Sequence, residues 1–288
     1  MNKTYKTFAI VANPVAGSMP LDKKHNILKT LSKIIGAQVF GLDTRDKTEF
    51  RECIKSVSRR YDVIIAAGGD GTFSDLINSI DLTRNIAGYL PMGSGNALRY
   101  ALGYPFSLVR CALKLRYGSV KKIDLIRYED RYLFMGSIGF EVEVLSNKRK
   151  NSSYLHATLS ALKNYKKKPI KISARICLEE REIFVKDALS ILVTKQPYYG
   201  YGMKVMPQAR FDDGLLHIGI FPSGVLNLIV MMLLSLSVGN VKGRHIMCEK
   251  AVFLDLFHFY KVQMDGDIVF NKDRLKFNLA KKVLSILS

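Results

Sequence analysis

An apolar run that breaks abruptly on glycine constrains this chain most: Tyr61-Asp-Val-Ile-Ile-Ala-Ala-Gly68-Gly69-Asp70-Gly71-Thr72-Phe73-Ser74-Asp75-Leu76-Ile77-Asn78. The run reads as an apolar strand, and the alternation of strands and helices around it argues for a parallel sheet with helices on both faces. Glycines let the main chain approach an anion closely, and a threonine such as Thr72 can cap the helix that follows. The helix start offers N–H groups, and a carboxylate there can hold Mg²⁺ or orient an acceptor. An ordinary strand-to-helix turn in which Asp70 merely caps is the plain alternative. A second turn of the same kind follows the strand expected over Ile86 to Leu90, with the sequence Pro91-Met92-Gly93-Ser94-Gly95-Asn96-Ala97-Leu98-Arg99. Alone it is as readily a tight turn as a site. Together the two strand ends would aim main-chain donors at the carboxyl edge of a parallel sheet, where ligands bind.

The rest of the first half fits that sheet. Strands are expected at Phe8 to Ala12, Gln38 to Leu42 and Val63 to Ala67. Helices are expected at Lys23 to Ile35, with Ile27, Leu28, Leu31 and Ile34 on one side, and at Phe50 to Arg59, Phe73 to Ile80 and Ala97 to Leu102. Beyond Asp124 the pattern turns to β-like runs, including Tyr132 to Ile138, Ile170 to Cys177 and Ala188 to Thr194. The expectation is an α/β fold: a parallel-sheet nucleotide-binding domain over residues 1–127 and a mostly β second domain, a β-sandwich, over 128–288. The extreme C-terminus is allowed to return to the first domain, and a cleft is expected between the two.

Composition narrows the partners. The 288 residues carry a formal charge of +19, which draws the protein to nucleic acid, to nucleotides or to the anionic leaflet of a membrane. From Val144 to Leu178 there is no acid, while Lys148, Arg149, Lys150, Lys163, Lys166, Lys167, Lys168, Lys171 and Arg175 all fall inside. Each could add about 1 kcal/mol to binding at an anionic bilayer, although a solvated face is the alternative. No zinc-finger spacing, aromatic RNA motif or helix-turn-helix supports a nucleic-acid partner, and none is expected. Cys53, Cys111, Cys177 and Cys248 are too dispersed for a disulfide framework or a zinc site, so a reducing cytosol fits. Nothing near Met1 resembles a signal peptide. Val225 to Val238 is apolar but shorter than the roughly 20 residues a membrane span needs. It is expected to form a buried or half-buried helix, or one that dips into lipid.

Five blocks in order carry a resemblance: Asn13-Pro14-Val15-Ala16-Gly17, Gly68-Gly69-Asp70-Gly71-Thr72, Pro91-Met92-Gly93-Ser94-Gly95-Asn96, Pro207-Gln208-Ala209-Arg210-Phe211-Asp212-Asp213-Gly214-Leu215-Leu216, and Asp265-Gly266-Asp267. The chain resembles the diacylglycerol kinase catalytic-domain family, which includes bacterial lipid kinases and is related to sphingosine and ceramide kinases. The resemblance implies transfer of the ATP γ-phosphoryl group to a lipid hydroxyl, with Mg²⁺, at a membrane surface. It assigns nucleotide contacts to Asn13, Gly17, Gly68, Gly69, Asp70, Gly71, Thr72 and Ser94, with Thr44 as a further member. It places a structural Mg²⁺ on the Asp213 carboxylate and the main-chain carbonyls of Arg210 and Leu215, a donor set that suits Mg²⁺. Asp212 would face the reacting centre, and either Glu141 or Glu143 could recognise a head group. The latter two are expected on one face of a strand over Ser137 to Val144.

The departures matter. The family ends its last motif in Asp-Gly-Glu, whose Glu is the proposed base, and here the position is Asp267, one methylene shorter. Asp70 is the other candidate for that role, and its replacement by Ala is expected to abolish turnover while sparing the melting temperature. Asp75 stands where the family usually has Glu. Asn96-Ala97-Leu98 leans toward the sphingoid enzymes, although the chain is short like the bacterial members, so the acceptor stays open. The rivals are a catalytically impaired membrane-binding member of the same fold and an NAD kinase, which shares the Gly-Gly-Asp-Gly-Thr turn. A peripheral cytoplasmic protein is expected, and a homodimer is an admissible assembly.

Overall fold

The computed structural model describes residues 7–147, 154–239 and 243–288, which group into two compact units. The first comprises the described part of Met1–Asp124 with Tyr199–Gly202 and Lys281–Ser288; the second comprises Leu125–Tyr198 and Met203–Ala280, less the residues not described.

The first unit runs β1 (Phe8–Ala12), α1 (Leu21–Ile35), β2 (Ala37–Phe40), α2 (Lys47–Ser58), β3 (Val63–Gly68), α3 (Asp70–Ile77), β4 (Ile86–Pro91), α4 (Ala97–Ala101) and α5 (Leu108–Tyr117). The strands pair in parallel in the order β2-β1-β3-β4, and the chain's last strand, β13 (Asp267–Leu287), adds parallel to β4 through Ile286 opposite Ala87. Strands β1 and β3 are buried along their whole length, as their unbroken apolar sequence requires. The order reverses between β1 and β3, so the loops that leave their carboxyl ends diverge and open a crevice. Helix α1 buries Lys24, Leu28, Leu31 and Ile35 and stops at Gly36, whose φ of 74° is the left-handed conformation that ends helices. Its buried stripe is therefore rotated from the expected one: Ile27 and Ile34 lie at its margins, and a lysine occupies an apolar position.

The second unit contains the end of β5 (Val120–Tyr128), then β6 (Arg131–Leu133), β7 (Met135–Gly139), α6 (Phe140–Ser146), α7 (Tyr154–Lys167), β8 (Ile172–Cys177), β9 (Glu182–Thr194), β10 (Leu216–Pro222), α8 (Val225–Leu236), β11 (Arg244–Cys248), β12 (Ala251–Met264) and most of β13. Its strands pair antiparallel in the order β11-β10-β9-β7-β12-β13, and β8 bridges β9 and β12. Alternate residues such as Ile172, Ala174 and Ile176 of β8 face a core shared with Ile191, Val193, Leu216, Ile218, Val252 and Val262. The chain is thus α/β, with a parallel-sheet unit followed by a mostly β, sandwich-like one.

One expectation changes here, and one is met. The segment from Phe140 is a helix, so Glu141 and Glu143, two residues apart, do not share a face as they would on a strand. Phe140 and Val144, one helical turn apart, pack instead with Ala157, Ala161 and Tyr165 of α7, Leu189 and Leu228 of α8. The apolar helix α8 buries Leu228 but leaves Leu226, Ile229, Leu233 and Leu236 exposed along one side. No helix among the described residues is long and apolar enough to cross a membrane. All four cysteines are free.

Of the basic stretch, Lys148, Arg149 and Lys150 lie outside the described residues. Lys163, Lys166 and Lys167 are exposed on α7, and Lys168 and Lys171 are exposed beyond it. Arg175 is committed elsewhere, 2.8 Å from Asp255 and 3.7 Å from Glu182.

Candidate active site

The first unit brings three turns together at the carboxyl ends of β1, β3 and β4. A single residue, Gly69, separates β3 from α3, so the helix begins at Asp70 rather than at Phe73. Thr72 therefore lies inside the helix and does not cap it. Its buried hydroxyl accepts a hydrogen bond from Asn13 Nδ2 at 3.2 Å, tying the first turn to the second. The third turn is tied on by main chain: the Gly68 carbonyl accepts from Met92 N and Gly93 N at 2.9 and 3.1 Å. These contacts leave no room for side chains. A Cβ on Gly93 would stand 2.3 Å from Gly69 Cα, and one on Gly17, whose φ is 71°, would stand 2.4 Å from the Met92 carbonyl oxygen. Gly71, by contrast, faces open space and is exposed.

Two side chains hold the turns rigid. Lys24 Nζ donates to the carbonyls of Asn13, Pro14 and Ala16 at 3.0, 2.7 and 2.9 Å, so the helix that follows the first turn folds back and fastens it. Burial lowers the pKa of this ammonium, and the three carbonyls give its protons partners. Asn96, in the left-handed conformation at φ 45°, closes the third turn. Its Oδ1 accepts from Gly93 N and Tyr89 Oη, and its Nδ2 donates to Gly93 O at 2.7 Å.

Asp70 joins the second turn to the third. Its carboxylate oxygens accept from Ala97 N at 2.9 Å and Leu98 N at 3.0 Å, the first amides of α4. Burial raises its pKa, against the lowering effect of those amide bonds. A residue so engaged supports the fold, so its removal is not expected to spare the melting temperature as the sequence suggested. Asp75, at the acidic position of α3, is also structural: buried, it pairs with Arg51 Nη2 of α2 at 2.6 Å. Thr44 sits half-buried after β2 with its hydroxyl on the Gly41 carbonyl at 2.7 Å, and Ser94 is exposed in the third turn. The segment Tyr199–Gly202 closes against this turn, with Tyr201 N donating to Gly95 O at 2.8 Å.

In the second unit, Asp265-Gly266 forms the two-residue turn between β12 and β13, with φ of 49° and 93°, the geometry for which Asp-Gly is favoured. Asp265 turns inward and accepts from Phe134 N and Met135 N, both at 3.0 Å. Asp267, half-exposed, lies 3.2 Å from Arg131 Nη2. Asp212 is exposed, 3.4 Å from Arg210 Nε. Asp213 faces the other way: its Oδ1 lies 2.6 Å from Lys195 Nζ, and its Oδ2 lies 2.7 Å from His217 Nε2. Burial would raise the Asp213 pKa, but the bonds from Lys195, His217 and the Leu215 amide outweigh it and hold the carboxyl below its ordinary range. Glu141 accepts a short hydrogen bond from Ser190 Oγ, and Glu143 accepts from Asn147 and Asn164.

Thus Asn13, Gly17, Gly68, Gly69, Asp70, Gly71, Thr72 and Ser94 belong to one cluster of turns. Asp212, Asp213 and Asp267 lie in the second unit, and Glu141 and Glu143 have separate partners there. The sequence reading missed Lys24 and Lys195. Lys24 left a signal, because it stands four residues before Leu28 on the apolar stripe of α1. Lys195 ends an apolar strand, where a lysine ordinarily marks emergence into water, and left none.

Comparison with known proteins agrees with this arrangement. Residues 7–128 match the diacylglycerol kinase catalytic domain, and residues 138–268 match a C-terminal domain described as NAD kinase β-sandwich-like. A diacylglycerol kinase of Staphylococcus haemolyticus is 25% identical over 275 residues, 91% of this chain and 82% of that protein. One from Staphylococcus saprophyticus is 29% identical over 168 residues, 57% of this chain and 55% of the relative. The solved structure of a diacylglycerol kinase from Bacillus anthracis superposes with a TM-score of 0.81 at 17% identity, covering 100% of this chain and 98% of that one. An NAD kinase from Archaeoglobus fulgidus, solved with ATP, shares the fold at a TM-score of 0.54 and 11% identity, over 98% and 94% of the two chains. By its two matched domains and by the order of its glycine turns, the chain belongs to the diacylglycerol kinase family.

Proposed function

We propose that this protein is an ATP-dependent lipid kinase acting on a diacylglycerol-like or sphingoid hydroxyl at a membrane surface. The observation that carries the reading is the interlocked set of three glycine turns, in which Gly17 and Gly93 admit no side chain, Gly69 lies against Gly93, and Gly71 lies open at the start of α3. Such a cradle favours phosphate oxygens, because main-chain amides and the positive end of a helix face them. Asn13, Gly17, Thr44, Gly68, Gly69, Gly71, Thr72 and Ser94 would line the nucleotide, and Asp70 would hold the second and third turns in register. ATP enters as its magnesium complex, in which the metal neutralises phosphate charge. Asp267 takes the proton from the acceptor hydroxyl; the oxygen bonds to the γ-phosphorus, the bond to the β-phosphate oxygen breaks, and ADP leaves. Asp212 lies in the same unit as a second carboxylate for this chemistry.

Membrane attachment rests on a separate face of the second unit. Leu226, Ile229, Leu233 and Leu236 form an exposed apolar row on α8, whose packing partner α7 exposes Lys163, Lys166 and Lys167. An apolar row and a cationic helix in one unit complement a bilayer containing anionic lipid, whose head groups attract lysines while its hydrocarbon accepts the leucines.

The test is incubation of the pure protein with labelled ATP, Mg²⁺ and mixed-lipid vesicles. Label is expected in the organic phase, and Asp267→Ala should lower its rate by about 100-fold or more, the usual share of a general base. No label with any lipid would overturn the kinase reading and favour a catalytically impaired member of the fold. Label on added NAD instead would identify the NAD kinase reaction. Binding that fails to distinguish anionic from neutral vesicles would overturn the attachment.

A further inference from the structure

The resemblance that implies a lipid kinase also implies a divalent ion on the Asp213 carboxylate and the carbonyls of Arg210 and Leu215. The residues around Asp213 do not fit such an ion. Lys195 Nζ, fully buried, lies 2.6 Å from Asp213 Oδ1 and 2.6 Å from the Leu215 carbonyl oxygen. These are two of the three oxygens the ion would need. Magnesium sits about 2.1 Å from its oxygen ligands, so an ion on either oxygen would stand within about 4.7 Å of this ammonium. The rest of the carboxylate is also committed: Oδ1 accepts from Leu215 N at 3.1 Å, and Oδ2 accepts from His217. The other ring nitrogen of His217, Nδ1, lies 3.0 Å from His245 Nε2.

We propose that Lys195 is the resident cation of the second unit. Its ammonium takes the seat of the structural metal and fastens the Asp212–Leu215 turn to the end of β9, so the second unit folds without a divalent ion. The chemistry supports the exchange. A single positive charge against one carboxylate neutralises the pair, three ammonium protons can serve a carboxylate and a carbonyl together, and the buried ammonium has both of these bonds made while Asp213 is only half-buried. A lysine at the end of β9 carries its charge with the chain and needs no metal supply.

The proposal concerns stability and is tested without nucleotide or lipid, so its outcome is independent of the kinase reading. Thermal unfolding of the purified chain is followed by circular dichroism in excess EDTA and in millimolar Mg²⁺, with metal content measured by mass spectrometry after gel filtration. The expected result is the same melting temperature in both solutions and no stoichiometric divalent metal. Lys195→Gln, which removes the charge, should melt lower in EDTA and recover part of the loss in Mg²⁺. A wild-type protein that retains one equivalent of divalent metal, or that melts lower in EDTA, would overturn the proposal. So would a folded Lys195→Gln whose melting ignores Mg²⁺. If that variant does not fold, the wild-type measurements decide alone.

Discussion

Replacing Asp70 by Ala removes a carboxylate that accepts the amides of Ala97 and Leu98 at 2.9 and 3.0 Å. Hydrogen bonds to a charged group contribute about 1.5–3 kcal/mol each, so the gross loss is about 3–6 kcal/mol. Part of this returns, because burial raises the Asp70 pKa and its carboxylate is therefore held at a cost in desolvation. The net destabilisation should be about 2 kcal/mol, near the upper end for loss of a helix cap. At about 4 °C per kcal/mol, the value between units of 60–100 and of 150–250 residues, the first unit should melt about 8 °C lower. The pH dependence has a definite sign. Because the folded pKa is raised above the reference value of 3.8, the stability attached to this group is fully present below that value and is lost as pH rises through the folded pKa. Asp70→Asn should lack that component. Thermal unfolding of wild type and both variants across the acid range, followed by circular dichroism, measures each quantity. An Asp70→Ala protein that melts with the wild type at neutral pH would refute the structural role argued here.

Four other substitutions probe the two units. Lys24→Met keeps the bulk but removes the ammonium that holds three carbonyls of the first turn; a stability loss of about 1–3 kcal/mol by urea unfolding is expected, and isothermal titration should show weaker ATP binding. Gly93→Ala places a methyl group 2.3 Å from the Gly69 backbone, and overpacking of this kind should cost about 3 kcal/mol in a melting assay. Asp265→Ala leaves the Phe134 and Met135 amides without their carboxylate and should lower stability by about 2 kcal/mol in urea, whereas Asp267→Ala, at a half-exposed position, should lower stability far less than turnover.

The sequence is most legible where one physical requirement dominates. The strands β1 and β3 announce themselves because a doubly covered strand must be apolar throughout, and the glycines after β3 because backbone must meet backbone. It is less legible where two periods coincide. Over Phe140–Ser146 the alternation Glu-Val-Glu-Val imitates a strand, but seven residues are too few to separate a period of two from one of 3.6, and packing of Phe140 and Val144 against α7 decides for helix. The start of α3 differs from the expected one because Thr72 is a favoured cap by type, yet its hydroxyl serves Asn13 instead. Lys195 shows a different limit: its partners Asp213 and Leu215 stand 18 and 20 residues away, and only folding brings them to one atom.

The parallel sheet of the first unit is finished by residues at the far end of the chain. Ile286 pairs beside Ala87, Ser288 exchanges main-chain hydrogen bonds with Ser119, and Tyr104 Oη donates to the Leu287 carbonyl at 2.5 Å. During synthesis the ribosome therefore emits β4 long before its outer neighbour, and until translation reaches β13 that strand edge is left bare and open to pairing with another nascent chain. A fusion or nick that displaces residues 281–288 would reproduce this exposed intermediate permanently.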